Sequence, residues 1–168
     1  MSTAAAAGGE TGVLRLAGAG DLPSIRALTE EAYKPYTQVL DAPPIPVTED
    51  YAPRIARGEV WLLDVSGETA GSIVLERHAD HMMIFSVAMA SRFQGRGLGL
   101  KLLRFADEQA MQAGYEEIRL YTNARMERNI ALYTAFGYRE TGRRANSMRK
   151  GWILVDMTKR LSRESPGP

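Results

Sequence analysis

Residues 82–103 read "MMIFSVAMASRFQGRGLGLKLL": an apolar run, then glycines at 95, 97 and 99, then leucines at helical spacing. Few folds accommodate that succession. The apolar run suits a strand buried on both faces. From Leu98 onward, Leu102, Leu103, Phe105, Ala106, Ala110 and Ala113 form one stripe of a helix of about four turns, and Gly114 stands where a C′ glycine stops a helix. The chain therefore passes from a buried strand into a helix through nearly bare backbone. The first turn of a helix leaves about four N–H groups without intrahelical partners and carries partial positive charge, so a phosphate is its natural guest. Glycine permits close approach and positive φ, and Arg96 and Lys101 add formal charge nearby. A turn whose glycines serve packing alone explains one such residue better than three alternating ones.

Two common phosphate readings fail on spacing. A dinucleotide fingerprint needs a third glycine at position 100, which is leucine. A P-loop needs a Gly-Lys-Ser/Thr ending, and none follows.

The remaining chain supplies the frame. "VLRLA" (13–17) reads as a strand, and Asp21 caps a helix over "LPSIRALTEEAY". Four prolines between Pro35 and Val47 predict an extended loop, followed by a helix from Thr48 or Glu49 to Arg57. "EVWLLDV" and "TAGSIVLER" flank the turn "SGE" as an antiparallel hairpin. After the glycines and their helix come a strand (117–123), a helix (126–136) stopped by Gly137, and two last strands, "YRET" and "WILVDMTK", around a basic loop from Gly142 to Gly151. The reading totals seven strands and four helices.

With 168 residues the chain suits one domain, expected over residues 13–160, with a flexible leader at 1–12 and a flexible tail at 161–168. Its 21 basic and 20 acidic residues leave no net field to attract nucleic acid or an anionic membrane. Zero cysteines exclude disulfides, thiolate metal sites and a cysteine nucleophile. No signal-peptide pattern and no membrane-length apolar run is present, so a cytoplasmic protein is expected.

Gln94-Gly95-Arg96-Gly97-Leu98-Gly99 resembles the Gln/Arg-x-x-Gly-x-Gly/Ala motif of the GNAT superfamily of acyl-coenzyme A N-acyltransferases, matched by Gln94, Gly97 and Gly99. A second stretch, "NIALYTAFGY" (129–138), is similar to that family's Asn-x-x-Ala-x-x-Leu/Tyr-Tyr-x-x-x-Gly-Phe/Tyr segment in slightly compressed form. The element order is the family's as well. The resemblance implies an α/β (α+β) three-layer fold, a mixed, mainly antiparallel twisted sheet of about seven strands flanked by about four helices. It also implies an N-acetyltransferase using acetyl-CoA and no metal, acting on an amine-bearing small molecule or peptide in a ternary complex, as monomer or homodimer. A noncatalytic acyl-CoA-binding or sensing domain is the alternative.

By the same resemblance Gln94, Gly95, Arg96, Gly97, Leu98, Gly99 and Leu100 wrap the coenzyme pyrophosphate. Backbone groups of Val87, Ala88 and Met89 hold the thioester carbonyl and pantetheine arm, and Asn129 lies near that arm. Tyr133, four residues on and so on the same helix face, is the acid near the sulfur. A phenol of pKa ~10 is a weaker acid than a thiol of ~8.5, so full proton transfer is uphill by roughly 2 kcal/mol and hydrogen-bond donation to the developing thiolate is the easier role. The general base is open among Glu76, His78, Asp80 and His81, with Glu76 preferred. Tyr33, Tyr36 and Tyr51, near Asp41 and Asp50, suit a cationic acceptor.

Overall fold

Ser66 and Gly67 both take positive φ, 51° and 80°, the two-residue turn that matches the right-handed twist of a hairpin. It joins β2 (Val60–Val65) to β3 (Glu68–Arg77), paired antiparallel as expected from "SGE". In this computed structural model, which describes residues 12–162, that hairpin belongs to a seven-stranded mixed sheet of order β1-β2-β3-β4-β5-β7-β6. The other strands are β1 (Gly12–Leu16), β4 (Met82–Met89), β5 (Glu117–Asn123), β6 (Arg139–Ala145) and β7 (Ile153–Arg160). The helices are α1 (Leu22–Leu40), α2 (Ile45–Thr48), α3 (Tyr51–Ala56), α4 (Leu98–Gln112) and α5 (Glu127–Ala135). The expected leader and tail lie outside the described residues, except that Gly12 opens β1 and the Leu161 N–H donates to the Glu116 carbonyl at 2.9 Å. No helix among the described residues is long and apolar enough to cross a membrane.

Several expectations yield to tertiary context. The loop predicted from Pro35 is helix, because α1 continues through that proline to Leu40. Pro35 is exposed, so the carbonyl it leaves unpaired on Glu31 faces water, while buried Leu40 anchors the added turns. Asp41 at φ 59° then ends the helix in a left-handed conformation. The prolines further on admit α2, a fifth helix, and the next helix starts at Tyr51, where Asp50 accepts the Ala52 N–H. The strand buried on both faces is β3, from Ala70 to Leu75, whereas β4 alternates buried and half-buried residues. β6 outruns "YRET": after a bulge its ladder with β7 continues to Ala145, with Arg144 held by Asp156 at 2.9 Å.

The described residues divide into two compact units. The first combines residues 12–75 with 86–105, around a core that includes Ile25, Leu28, Leu63, Ile73 and Leu102. The second combines 76–85 with 106–162, around Met82, Ile84, Ile118, Tyr138 and Met157. Within the second unit β4 and β5 run parallel, but their ladder covers only Met82–Ile84 against Ile118–Leu120.

Candidate active site

In the first unit, β4 ends in a short turn over Ser91–Phe93 that leads to the glycines. Gly95 and Gly97 adopt φ of 77° and 76°, a conformation that L side chains rarely adopt. The Gly97 carbonyl accepts the Lys101 N–H at 3.2 Å, the first backbone bond of α4, so the amides of Leu98, Gly99 and Leu100 precede it. A Cβ added at Gly95, Gly97 or Gly99 meets nothing within 4 Å, so internal packing does not require glycine at any of them. Gly99 is the informative one. It is the second residue of α4, with neither crowding nor positive φ. Among the described residues neither packing nor backbone conformation accounts for glycine there. Bare backbone before the first helical bond leaves those amides open to an anion.

Side chains around the turn are already engaged. Arg92 pairs with Glu68 at 3.0 Å, and both Arg92 and Arg96 lie over the Phe93 ring. Lys101, expected to lend charge to the loop, points its ammonium to the Gly12 carbonyl at 2.8 Å. Glu31 of α1 accepts the Ser91 N–H at 2.9 Å, and that bond holds its carboxyl below the ordinary range. This tether has no motif behind it; Glu31 reads in the sequence as one more charge on an amphipathic helix.

The β4 residues Val87, Ala88 and Met89 precede the turn. The Tyr33 hydroxyl donates to the Val87 carbonyl at 3.1 Å, and the Gln94 side-chain amide approaches the Met89 carbonyl at 3.4 Å. A residue expected at the acceptor therefore meets backbone expected at the coenzyme. Tyr36 packs a tilted ring against Tyr33, with centroids 6.2 Å apart. Tyr51 departs from the surface role expected of it: it is 1% exposed, its hydroxyl donates to the Pro46 carbonyl, and burial pushes its phenol far up. It is a core residue.

In the second unit, Asn129 and Tyr133 project from α5, both half-buried. The Tyr133 ring meets Tyr138 edge-on at 5.9 Å, and Tyr138 is 1% exposed with its phenol pushed up by burial. At the β3–β4 turn, Glu76 and His78 lie 2.9 Å apart, and Asp80 and His81 2.6 Å apart. The two imidazoles stack at 4.7 Å with planes 1° apart, so they face each other and do not converge on a common point. The His78 N–H donates to the His81 carbonyl at 3.0 Å, and Tyr115 donates to the His78 carbonyl at 2.7 Å. Hydrogen bonding to His81 keeps Asp80 below its ordinary pKa.

A family model described as the acetyltransferase (GNAT) family matches residues 25–138. A probable N-acetyltransferase family 8 member 5 of Mus musculus is 25% identical over 138 residues, 78% of this chain and 60% of that protein's length. Among solved structures, the ribosomal-protein-S18-alanine N-acetyltransferase of Escherichia coli superposes with TM-score 0.73 at 21% identity, covering 94% of this chain and 99% of its own. PaiA N-acetyltransferase of Thermoplasma acidophilum, in complex with coenzyme A, gives 0.76 at 16% identity, with coverages of 89% and 99%.

Proposed function

The chain belongs to the acetyltransferase (GNAT) family, and from that premise we propose that it carries an acetyl group from acetyl-CoA to a primary amine of a small molecule or peptide, by direct attack in a ternary complex, on one domain over residues 13–160. The observation that carries this reading is the open glycine turn, with Gly95 and Gly97 in positive φ and nothing within 4 Å of a Cβ added at 95, 97 or 99. Acetyl-CoA supplies the activated acyl group. Amides at the start of α4, with Gly95 and Gly97 in positive φ, receive its pyrophosphate. Backbone groups of Val87, Ala88 and Met89 bind the pantetheine arm and orient the thioester carbonyl, with Asn129 assisting, and fixed dipoles of this kind stabilise charge at low reorganisation cost.

Tyr133, its ring held by Tyr138, donates a hydrogen bond to the departing thiolate. Glu76, paired with His78, takes the proton that the amine must lose before attack. Tyr33 and Tyr36 border the acceptor. A cytoplasmic setting belongs to this reading, and a chain with zero cysteines is compatible with a reducing compartment.

The test is thiol release from acetyl-CoA, followed with a thiol-reactive dye across amines, amino acids and peptides; the protein contributes no background thiol. Amine-dependent release is expected. Binding of acetyl-CoA without release from any amine would favour a sensing domain instead. Tyr133→Phe is expected to lower kcat about tenfold or more while moving KM for acetyl-CoA less than about twofold, since only a hydrogen bond formed as the sulfur departs is lost.

A further inference from the structure

The second unit contains a hollow of about 490 Å³ on one face of its sheet, lined in part by Met83, Arg119, Arg139, Thr158 and Arg160. Cross-strand register makes its floor a row: Met83 of β4 opposite Arg119 of β5, Arg119 opposite Thr158 of β7, and Thr158 opposite Arg139 of β6. Arg160 stands opposite Glu117, one position along the same face.

The charges in the hollow are unevenly spent. Glu117 is bound by Arg119 at 2.9 Å, and Asp156 by Arg144 at 2.9 Å. Among the described residues Arg139 and Arg160 have no carboxylate partner, and both are exposed. With its acids already matched, the hollow presents two guanidinium groups and the Thr158 hydroxyl to whatever enters.

Its position ties it to the chemistry. Leu120, which also lines the hollow, is the last β5 residue in the ladder with β4. Glu76, the proposed base, stands one residue before the end of β3, and the bond from the His78 N–H to the His81 carbonyl closes the turn into β4, the strand that carries Met83. At about 4.8 Å per strand, β3, which carries Glu76, lies roughly 14 Å from β7, which carries Thr158, and an extended tripeptide covers about 10 Å. Long side chains at both ends bridge the difference.

We propose that this hollow seats an anionic group, carboxylate or phosphate, at the far end of the acceptor, held by Arg139 and Arg160 with Thr158 donating. The inference rests on the acetyl-transfer reading and narrows it to acceptors whose acid lies about a tripeptide's length from the amine.

The direct test is titration of the protein with N-acetyl-triglycine and with N-acetyl-triglycinamide, read on the arginine Nε–Hε resonances by NMR. The acid is expected to shift Arg139 and Arg160, the amide to leave them still, and the double variant Arg139→Ala/Arg160→Ala to weaken the acid's binding at least tenfold. Inorganic phosphate displacing the acid identifies a seat open to phosphorylated acceptors, and failure to displace it identifies a carboxylate seat. Acid and amide binding alike, or neither binding in the millimolar range, overturns the seat. Thiol release with triglycine and triglycinamide runs beside it. Release with both at equal KM sinks the inference and spares the transferase, whereas selective binding of the acid with no release from any amine overturns the acceptor role.

Discussion

The glycine turn after β4 and the turn between β3 and β4 stand at opposite ends of one strand and treat polar groups in opposite ways. At the β3–β4 turn the charged side chains answer one another: Glu76 with His78, Asp80 with His81, and Asp80 with Arg119 at 3.7 Å. At the glycine turn the polar groups that matter are backbone amides ahead of the first helical bond, and the space around the three glycines is open. A group already matched by its own protein must break a bond before it serves a ligand; an unspent amide does not. The role proposed for the glycine turn, binding the coenzyme's phosphates, uses groups of the second kind. The histidine turn holds its own charged side chains in pairs.

The largest expected effect breaks the binding side. Gly97→Asp strains a backbone at φ 76°, less than most side chains would since aspartate is among those enriched at positive φ, and adds a negative charge at the proposed phosphate site. Calorimetry should show acetyl-CoA affinity falling by about a hundredfold, the equivalent of one or two charge-assisted hydrogen bonds. Normal affinity in a folded variant would remove the turn from the coenzyme site.

The next probes the holding side. Glu76→Gln keeps a hydrogen bond to His78 but cannot take a proton, so kcat should drop about a hundredfold with KM for acetyl-CoA unchanged. A kcat within a factor of two of wild type would reduce the Glu76–His78 pair to a lock on the turn.

The smallest effect concerns the tether between α1 and the glycine turn. The Ser91 amide keeps Glu31 below its ordinary value of 4.5, so its contribution is complete above pH 4.5 and is lost as pH falls through the lower folded value. Acetyl-CoA affinity measured down a pH series should weaken about two- to threefold more in wild type than in Glu31→Gln, which lacks the titrating group. Parallel curves would show that the tether leaves the turn unaffected.

Much of the fold is legible in residues that act locally. Gly67 sets the hairpin turn, Gly114 follows α4 at φ 85°, and the stripe from Leu98 to Ala110 supplies that helix with buried Leu102, Leu103 and Ala106. Pro35 misleads because its cost depends on whether the carbonyl it strands faces water, which only the packed helix decides. Tyr51 misleads similarly: a tyrosine among prolines reads as a surface aromatic until the core closes around its ring. Gly142 ends a strand on local propensity, yet the β7 ladder carries β6 past it.

The candidate site divides along the same line. Sequence by itself determined the glycine turn, the helix that follows it and the α5 pair of Asn129 and Tyr133, because glycine spacing and helical periodicity are short-range properties of the chain. Tertiary structure alone decided that Glu31 grips Ser91, that Tyr33 caps the Val87 carbonyl 54 residues away, and that arginines of β5, β6 and β7 line one hollow. Those contacts depend on strand order and register, which arise from the burial of whole elements against one another and leave no mark at any fixed spacing along the chain.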